Sequence, residues 1–159
     1  MKDFVIRAAR REDTGSLEGL IREMARFEKL EDQLRLTTEG LARSLFDQRS
    51  ADAFLLEVEG RPVGYAIFFE NFSTFEGRSG LYLEDIFILP GFRKQGLGKA
   101  LFKAVAAEAV HRGCPRLEWA CLDWNHQAID FYRSLKAQPL DQWTVYRLTG
   151  EDLEQAGEE

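Results

Sequence analysis

The sequence predicts an α/β fold with a mixed central sheet flanked by helices, and three observations carry that prediction. Segments of strand character alternate with segments whose apolar residues recur at helical spacing, in the order strand, two helices, a three-strand meander, helix, strand, helix, strand. A strand at residues 81–89, rich in aromatic and β-branched residues, runs through a two-glycine turn straight into an amphipathic helix. No internal repeat, linker or low-complexity segment interrupts the 159 residues. One domain over residues 1–150, followed by a polar tail at 151–159, is therefore expected.

Taken in order, residues 4–8 read as a first strand, and Asp13 or Thr14 is placed to cap the helix after it. Leu17, Leu20, Ile21, Met24 and Phe27 then form a helical stripe that reads as core. At the far end of that helix Glu28, Glu31 and Asp32 sit where the dipole disfavours negative charge, an arrangement that suits a solvated face or an acidic rim for a cation. A second helix starts at Thr37 or Thr38 and turns Leu41, Leu45 and Phe46 inward. Residues 53–58 and 63–69 form a hairpin around Glu59-Gly60-Arg61-Pro62, and residues 70–80, with Phe72 and Phe75, read as a loop. The helix after the central strand stops at Gly113, residues 116–122 make another strand, residues 127–135 a helix, and residues 143–148 a last strand. From Gly150 the chain is polar and acidic and is expected to fray.

Composition narrows the function classes. A net charge of -6, with 45% hydrophobic and 30% charged residues, describes a soluble globular protein and argues against a general nucleic-acid binder. No stretch approaches the ~18 apolar residues of a membrane helix, so neither a membrane nor a nucleic-acid partner is expected, and the cytoplasm is the expected compartment. Cys114 and Cys121 are the two cysteines, with no C-x-x-C pattern, so no disulfide framework and no metal site is expected, and Cys121 reads as a small core residue.

The central stretch carries chemistry. In Leu81-Tyr82-Leu83-Glu84-Asp85-Ile86-Phe87-Ile88-Leu89 followed by Arg93-Lys94-Gln95-Gly96-Leu97-Gly98-Lys99, a strand, a basic glycine turn and a helix N-terminus combine. The first N–H groups of a helix lack internal partners, its dipole favours anions there, and glycines let a phosphate approach the main chain. A phosphate or pyrophosphate is expected on this turn. The dinucleotide fingerprint and the P-loop are both absent, so the order R-x-x-G-x-G is a separate pattern. A second constellation is Asn125-x-x-Ala128-Ile129-x-Phe131-Tyr132, whose spacing stacks residues 125, 128, 129 and 132 along one helix face.

Together the two motifs resemble the GNAT superfamily of acetyl-CoA-dependent N-acetyltransferases. The resemblance covers most of the chain and is nearest to the diamine (spermidine/spermine) and thialysine acetyltransferases, through Phe4-Val5-Ile6-Arg7, Leu81-Tyr82-Leu83-Glu84-Asp85 and Asp123-Trp124-Asn125. It implies a GNAT fold, a mixed and mostly antiparallel sheet splayed at the cofactor site. It further implies that acetyl-CoA is co-substrate, with its pyrophosphate on residues 93–99 and its pantetheine arm alongside Ile86, Phe87 and Ile88. Asn125, Ala128 and Tyr132 would contact the cofactor from the other side, and a homodimer is the usual assembly. Where relatives often carry glycine this chain has Lys136, an acidic position is taken by His126, and Phe27 replaces a tyrosine of the diamine enzymes.

The same resemblance assigns Glu84 as base and Tyr132 as acid. A protonated alkylamine, with a pKa of about 10.4, must lose a proton before it attacks a thioester, and a carboxylate at the end of the sheet is suited to take it. Phe27, Glu28, Glu84 and Asp85 would receive the amine, with a backbone N–H near Ile86 for the oxyanion. The expected substrate is a small primary amine such as a diamine, polyamine or lysine-like molecule. A transferase acting on a protein N-terminus or lysine, and an acyl-CoA-binding module without catalysis, are the alternatives.

Overall fold

A computed structural model of the chain describes residues 3–158. It resolves into two compact units, Met1–Ala120 and Cys121–Glu159. The first holds one five-stranded sheet in the order β1-β2-β3-β4-β5, with β1 (Phe4–Ala8), β2 (Asp52–Val58), β3 (Arg61–Ser73), β4 (Arg78–Ile88) and β5 (Leu117–Trp119). Neighbours run antiparallel except β4 and β5, which are parallel.

Helix α1 (Thr14–Phe27) places its stripe against one face of this sheet, where Leu17, Leu20 and Ile21 pack with Leu55, Tyr65 and Phe87. Asp13 precedes the helix, but its carboxylate turns back to the Arg10 N–H and the Arg7 guanidinium, so neither it nor Thr14 caps the helix by its side chain. Phe27 departs from the core role read for it: at the end of the stripe it is 36% exposed. Helix α2 (Thr38–Ala42) is capped by Thr37, whose hydroxyl accepts from the Gly40 N–H, and continues into a π-helical turn at Arg43–Asp47. Helix α3 (Leu97–His111) buries Leu101, Val105 and Ala109 and ends at Gly113, whose φ of 74° supplies the left-handed turn.

Residues 70–80 are not a loop. β3 runs on to Ser73 and β4 starts at Arg78, so the connection is a tight turn at residues 74–77. The polar and small residues there hide the strand period. Gly80 stands opposite Asn71, where a Cβ would come within 2.8 Å of the Asn71 Oδ1, so pairing here depends on a side chain being absent. The strand read for residues 116–122 shrinks to Leu117–Trp119, which leaves Cys121 outside it and half-buried.

The second unit contains α4 (His126–Ser134) and α5 (Gly150–Ala156). No strand forms at residues 143–148, where Trp143, Val145 and Tyr146 are exposed; β propensity makes a strand only where an edge pairs with it. The expected fraying of the tail gives way to α5, whose first turn carries Glu151 and Asp152 next to the positive end of its dipole.

Candidate active site

The decisive local feature is a bulge in β4. Asp85 pairs with Ile67 and Leu83 with Phe68, so Glu84 has no residue opposite it. Pairing between β4 and β5 covers Leu81, Tyr82 and Leu83 and goes no further. The Leu81 N–H donates to the Arg116 carbonyl on the β5 side, and the Leu89 N–H donates to the Val63 carbonyl on the β3 side. Counting back from Leu89 by twos, Phe87 and Asp85 turn their main-chain groups to β3, whereas Ile88 and Ile86 turn theirs to the side that β5 has left. The sheet opens at residues 84–88, and the Ile86 N–H and C=O lie on the opened edge.

On the α1 face of this edge three acids meet. Asp85 is half-buried, and its Oδ2 accepts from the Tyr65 hydroxyl at 3.3 Å. Burial, the charge of Glu84 and the charge of Glu28 together push the Asp85 carboxyl up to about 6. Glu28, at the C-terminal end of α1, is also raised by burial. Glu84 is exposed. None of the three forms an ion pair among the described residues, so this is a cluster of like charge beside the opened strand, suited to a cation. Glu31 is exposed and is not among the charges acting on Asp85.

The turn after β4 builds the expected anion site. Gly96 precedes α3 with φ of 80°, and nothing stands within 4 Å of where its Cβ would be. A Cβ on Gly98 would meet only Ile88 Cγ1, at 3.8 Å. The helix's first internal bond runs from the Ala100 N–H to the Gly96 carbonyl, so the N–H groups of Leu97, Gly98 and Lys99 point out of the helix end. Lys94, Gln95 and Lys99 are exposed around them. These residues fit a phosphate: open space at both glycines, free donors and two cations. Arg93 takes a different course from its neighbours. Its Nε donates to the Ile88 carbonyl at 2.8 Å, and its guanidinium carbon lies 4.3 Å from the Phe27 ring centre and 5.2 Å from that of Phe87.

The first unit thus gathers Phe27, Glu28, Glu84, Asp85, residues 86–88 and residues 93–99. Asn125, Ala128 and Tyr132 lie on α4 of the second unit. There the Asn125 Oδ1 accepts from the Ala128 N–H at 3.3 Å, and the Tyr132 ring packs on Phe131 with centroids 5.6 Å apart. Lys136 closes α4 in the left-handed region at φ of 65°. Two contributors to the site were not singled out for it by the sequence, Tyr65 and Met24, the latter read only as part of the α1 core stripe. Neither lies in a motif, and only the register of β3 on β4 shows that Tyr65 reaches Asp85.

The model of the Acetyltransferase (GNAT) family aligns with residues 17–136, a span that contains the opened sheet, the turn and the acids. The chain belongs to the GNAT acetyltransferase family. It is 38% identical to a thialysine N-epsilon-acetyltransferase of Bos taurus, with 96% of each chain covered. It is 33% identical to an L-ornithine N5-acetyltransferase of Arabidopsis thaliana, over 94% of this chain and 86% of that one. Among solved structures, an integron cassette protein of V. cholerae superposes with a TM-score of 0.82 at 23% identity, covering 98% of both chains. The chain is an acetyl-CoA-dependent N-acetyltransferase with a GNAT fold.

Proposed function

We propose that this enzyme transfers acetyl from acetyl-CoA to a primary amine of a small molecule that carries a second positive charge or a lysine-like chain. The observation that carries the reading is the set of three unpaired acids, Glu28, Glu84 and Asp85, beside the opened edge of β4. The names of the relatives point the same way, one to thialysine and one to ornithine, both amino acids with a side-chain amine.

In this reading the N–H groups of residues 97–99, with Lys94 and Lys99, hold the pyrophosphate, and the Ile86 carbonyl and the Ile88 N–H on the opened edge pair with the pantetheine arm as an added strand would, the Ile88 carbonyl being held by Arg93. Glu84 takes the proton from the ammonium, directly or through water. The free amine then attacks the thioester carbon, a C–N bond forms, the C–S bond breaks, the thiolate takes a proton from Tyr132, and the proton that the attacking nitrogen sheds on becoming an amide restores the Tyr132 hydroxyl. The Ile86 N–H donates to the oxygen on which charge develops. Acetyl-CoA supplies the activated acyl group, and no acyl-enzyme through either cysteine is needed.

Two further features belong to the proposal. The exposed apolar side chains Trp143, Val145 and Tyr146 support self-association as a homodimer, which light scattering would test. A cytoplasmic location is the second, which cell fractionation would test; among the described residues no helix is long and apolar enough to cross a membrane.

The test is acetyl transfer to a panel of diamines, thialysine, ornithine and a lysine peptide. Turnover of the small amines with Tyr132→Phe about a hundredfold slower in kcat is expected. Product from the peptide alone would move the enzyme to the protein-directed class, and tight CoA binding without any product would make it a binding module.

A further inference from the structure

Beneath the three acids lies a residue that the acetyl-transfer chemistry itself does not require. Tyr65 is 0% exposed. Its ring packs beside Phe87 at 6.4 Å between centroids, and its hydroxyl reaches Met24 Sδ of α1 at 3.1 Å. For packing alone phenylalanine would serve better, because a buried hydroxyl costs free energy unless it is hydrogen-bonded. A thioether is a weak acceptor. The strong acceptor in reach is Asp85 Oδ2 at 3.3 Å. That separation exceeds an ideal O–H···O bond, and hydrogen bonds in empty active sites commonly tighten when substrate binds.

The surroundings of Asp85 give this contact its meaning. Glu28 from the end of α1 and Glu84 from β4 face it with like charge, and Tyr65 faces it from β3. The guanidinium after β4, that of Arg93, lies on the rings of Phe27 and Phe87 and donates its Nε to the Ile88 carbonyl. Asp85 therefore has a neutral donor where a structural carboxylate would have a cation. A cationic partner would cancel the charge that attracts an amine; a phenol supports the charge and leaves it available.

We infer that Tyr65 is a positioning residue for the amine substrate: its hydroxyl holds the Asp85 carboxylate charged and oriented toward the substrate cation, and so sets the pH range in which the amine binds. The inference rests on the proposed amine site at Glu28, Glu84 and Asp85. Its sign follows from the groups present. Burial and the two neighbouring acids push Asp85 up to about 6, while the Tyr65 hydroxyl acts in the opposite sense. As pH rises through that value the carboxylate becomes charged and amine affinity improves. Removing the hydroxyl moves the transition to higher pH.

The experiment compares the pH dependence of KM for diaminobutane, with acetyl-CoA saturating, in the parent enzyme, Tyr65→Phe, Asp85→Asn and the double variant. With Tyr65→Phe the acidic limb moves up by about half a unit, so KM relative to the parent is about threefold higher at pH 5 and nearly unchanged at pH 8. Asp85→Asn abolishes that limb, and adding Tyr65→Phe to it changes KM no further. A Tyr65→Phe effect that is flat across pH, or undiminished in the Asp85→Asn background, would overturn the positioning role and leave Tyr65 a packing residue. If Asp85→Asn itself leaves KM and its pH dependence untouched, the proposed amine site fails instead.

Discussion

Two clusters of acids on the same sheet behave in opposite ways. At its β1 edge Asp13 accepts two bonds from Arg7, at 2.7 and 3.0 Å, and one from the Arg10 N–H at 2.7 Å, while Glu57 takes the Arg7 Nε at 2.7 Å. The Arg7 guanidinium holds the Asp13 carboxyl down at about 2. At the β4 bulge, Glu28, Glu84 and Asp85 have no such partner, and Asp85 is pushed up to about 6. The first cluster ties β1 to β2 and to the entry of α1. The second stores repulsion that, in the proposed function, a substrate cation would relieve. A buried or half-buried carboxylate whose counter-charge is built in supports the fold, and one whose counter-charge must arrive from outside marks a site.

The largest effect that separates the two is on turnover. Glu84→Gln should lower kcat by about 10²- to 10³-fold while leaving the thermal midpoint unchanged or raised, since one like charge is removed. A stopped assay paired with a melting curve reads both. Asp13→Asn should do the reverse, costing about 2 kcal/mol of stability at pH 7 with KM for the amine preserved. The sign follows from a depressed carboxyl: the stabilisation is complete above the unfolded value near 4 and is lost as pH falls through about 2, so the parent and Asp13→Asn should converge in stability across that interval. Equal stability loss from both substitutions would erase the distinction. The smallest effect lies outside both clusters. Lys136 occupies a left-handed turn at φ of 65°, and Lys136→Gly should stabilise the protein by about 0.5–1 kcal/mol, read by denaturant unfolding.

What could be read beforehand follows the range of the interactions involved. The order of elements through α4, the helix start at Thr37 or Thr38 and the glycine turn depend on local spacing, and all are present. The last strand was misread because pairing with a distant edge, and not composition, makes a strand. The loop at residues 70–80 was misread because Asn, Ser and Gly look like a turn even where the ladder continues through them. At the site, the motif pointed to Glu84 and Asp85, but their difference in burial comes from the bulge, which is a property of two strands. Tyr65 was invisible for the same reason, and the stacking of Arg93 on Phe27 joins residues far apart in the chain.

The most direct measurement is the steady-state acetylation of a matched amine series at pH 8: diaminobutane, lysine, and butylamine as the single-charge control. The account predicts product from all three, with KM for diaminobutane about tenfold or more below that for butylamine, and this preference reduced by Asp85→Asn. Equal KM for the diamine and butylamine, unchanged by Asp85→Asn, would contradict a cation site at the β4 bulge.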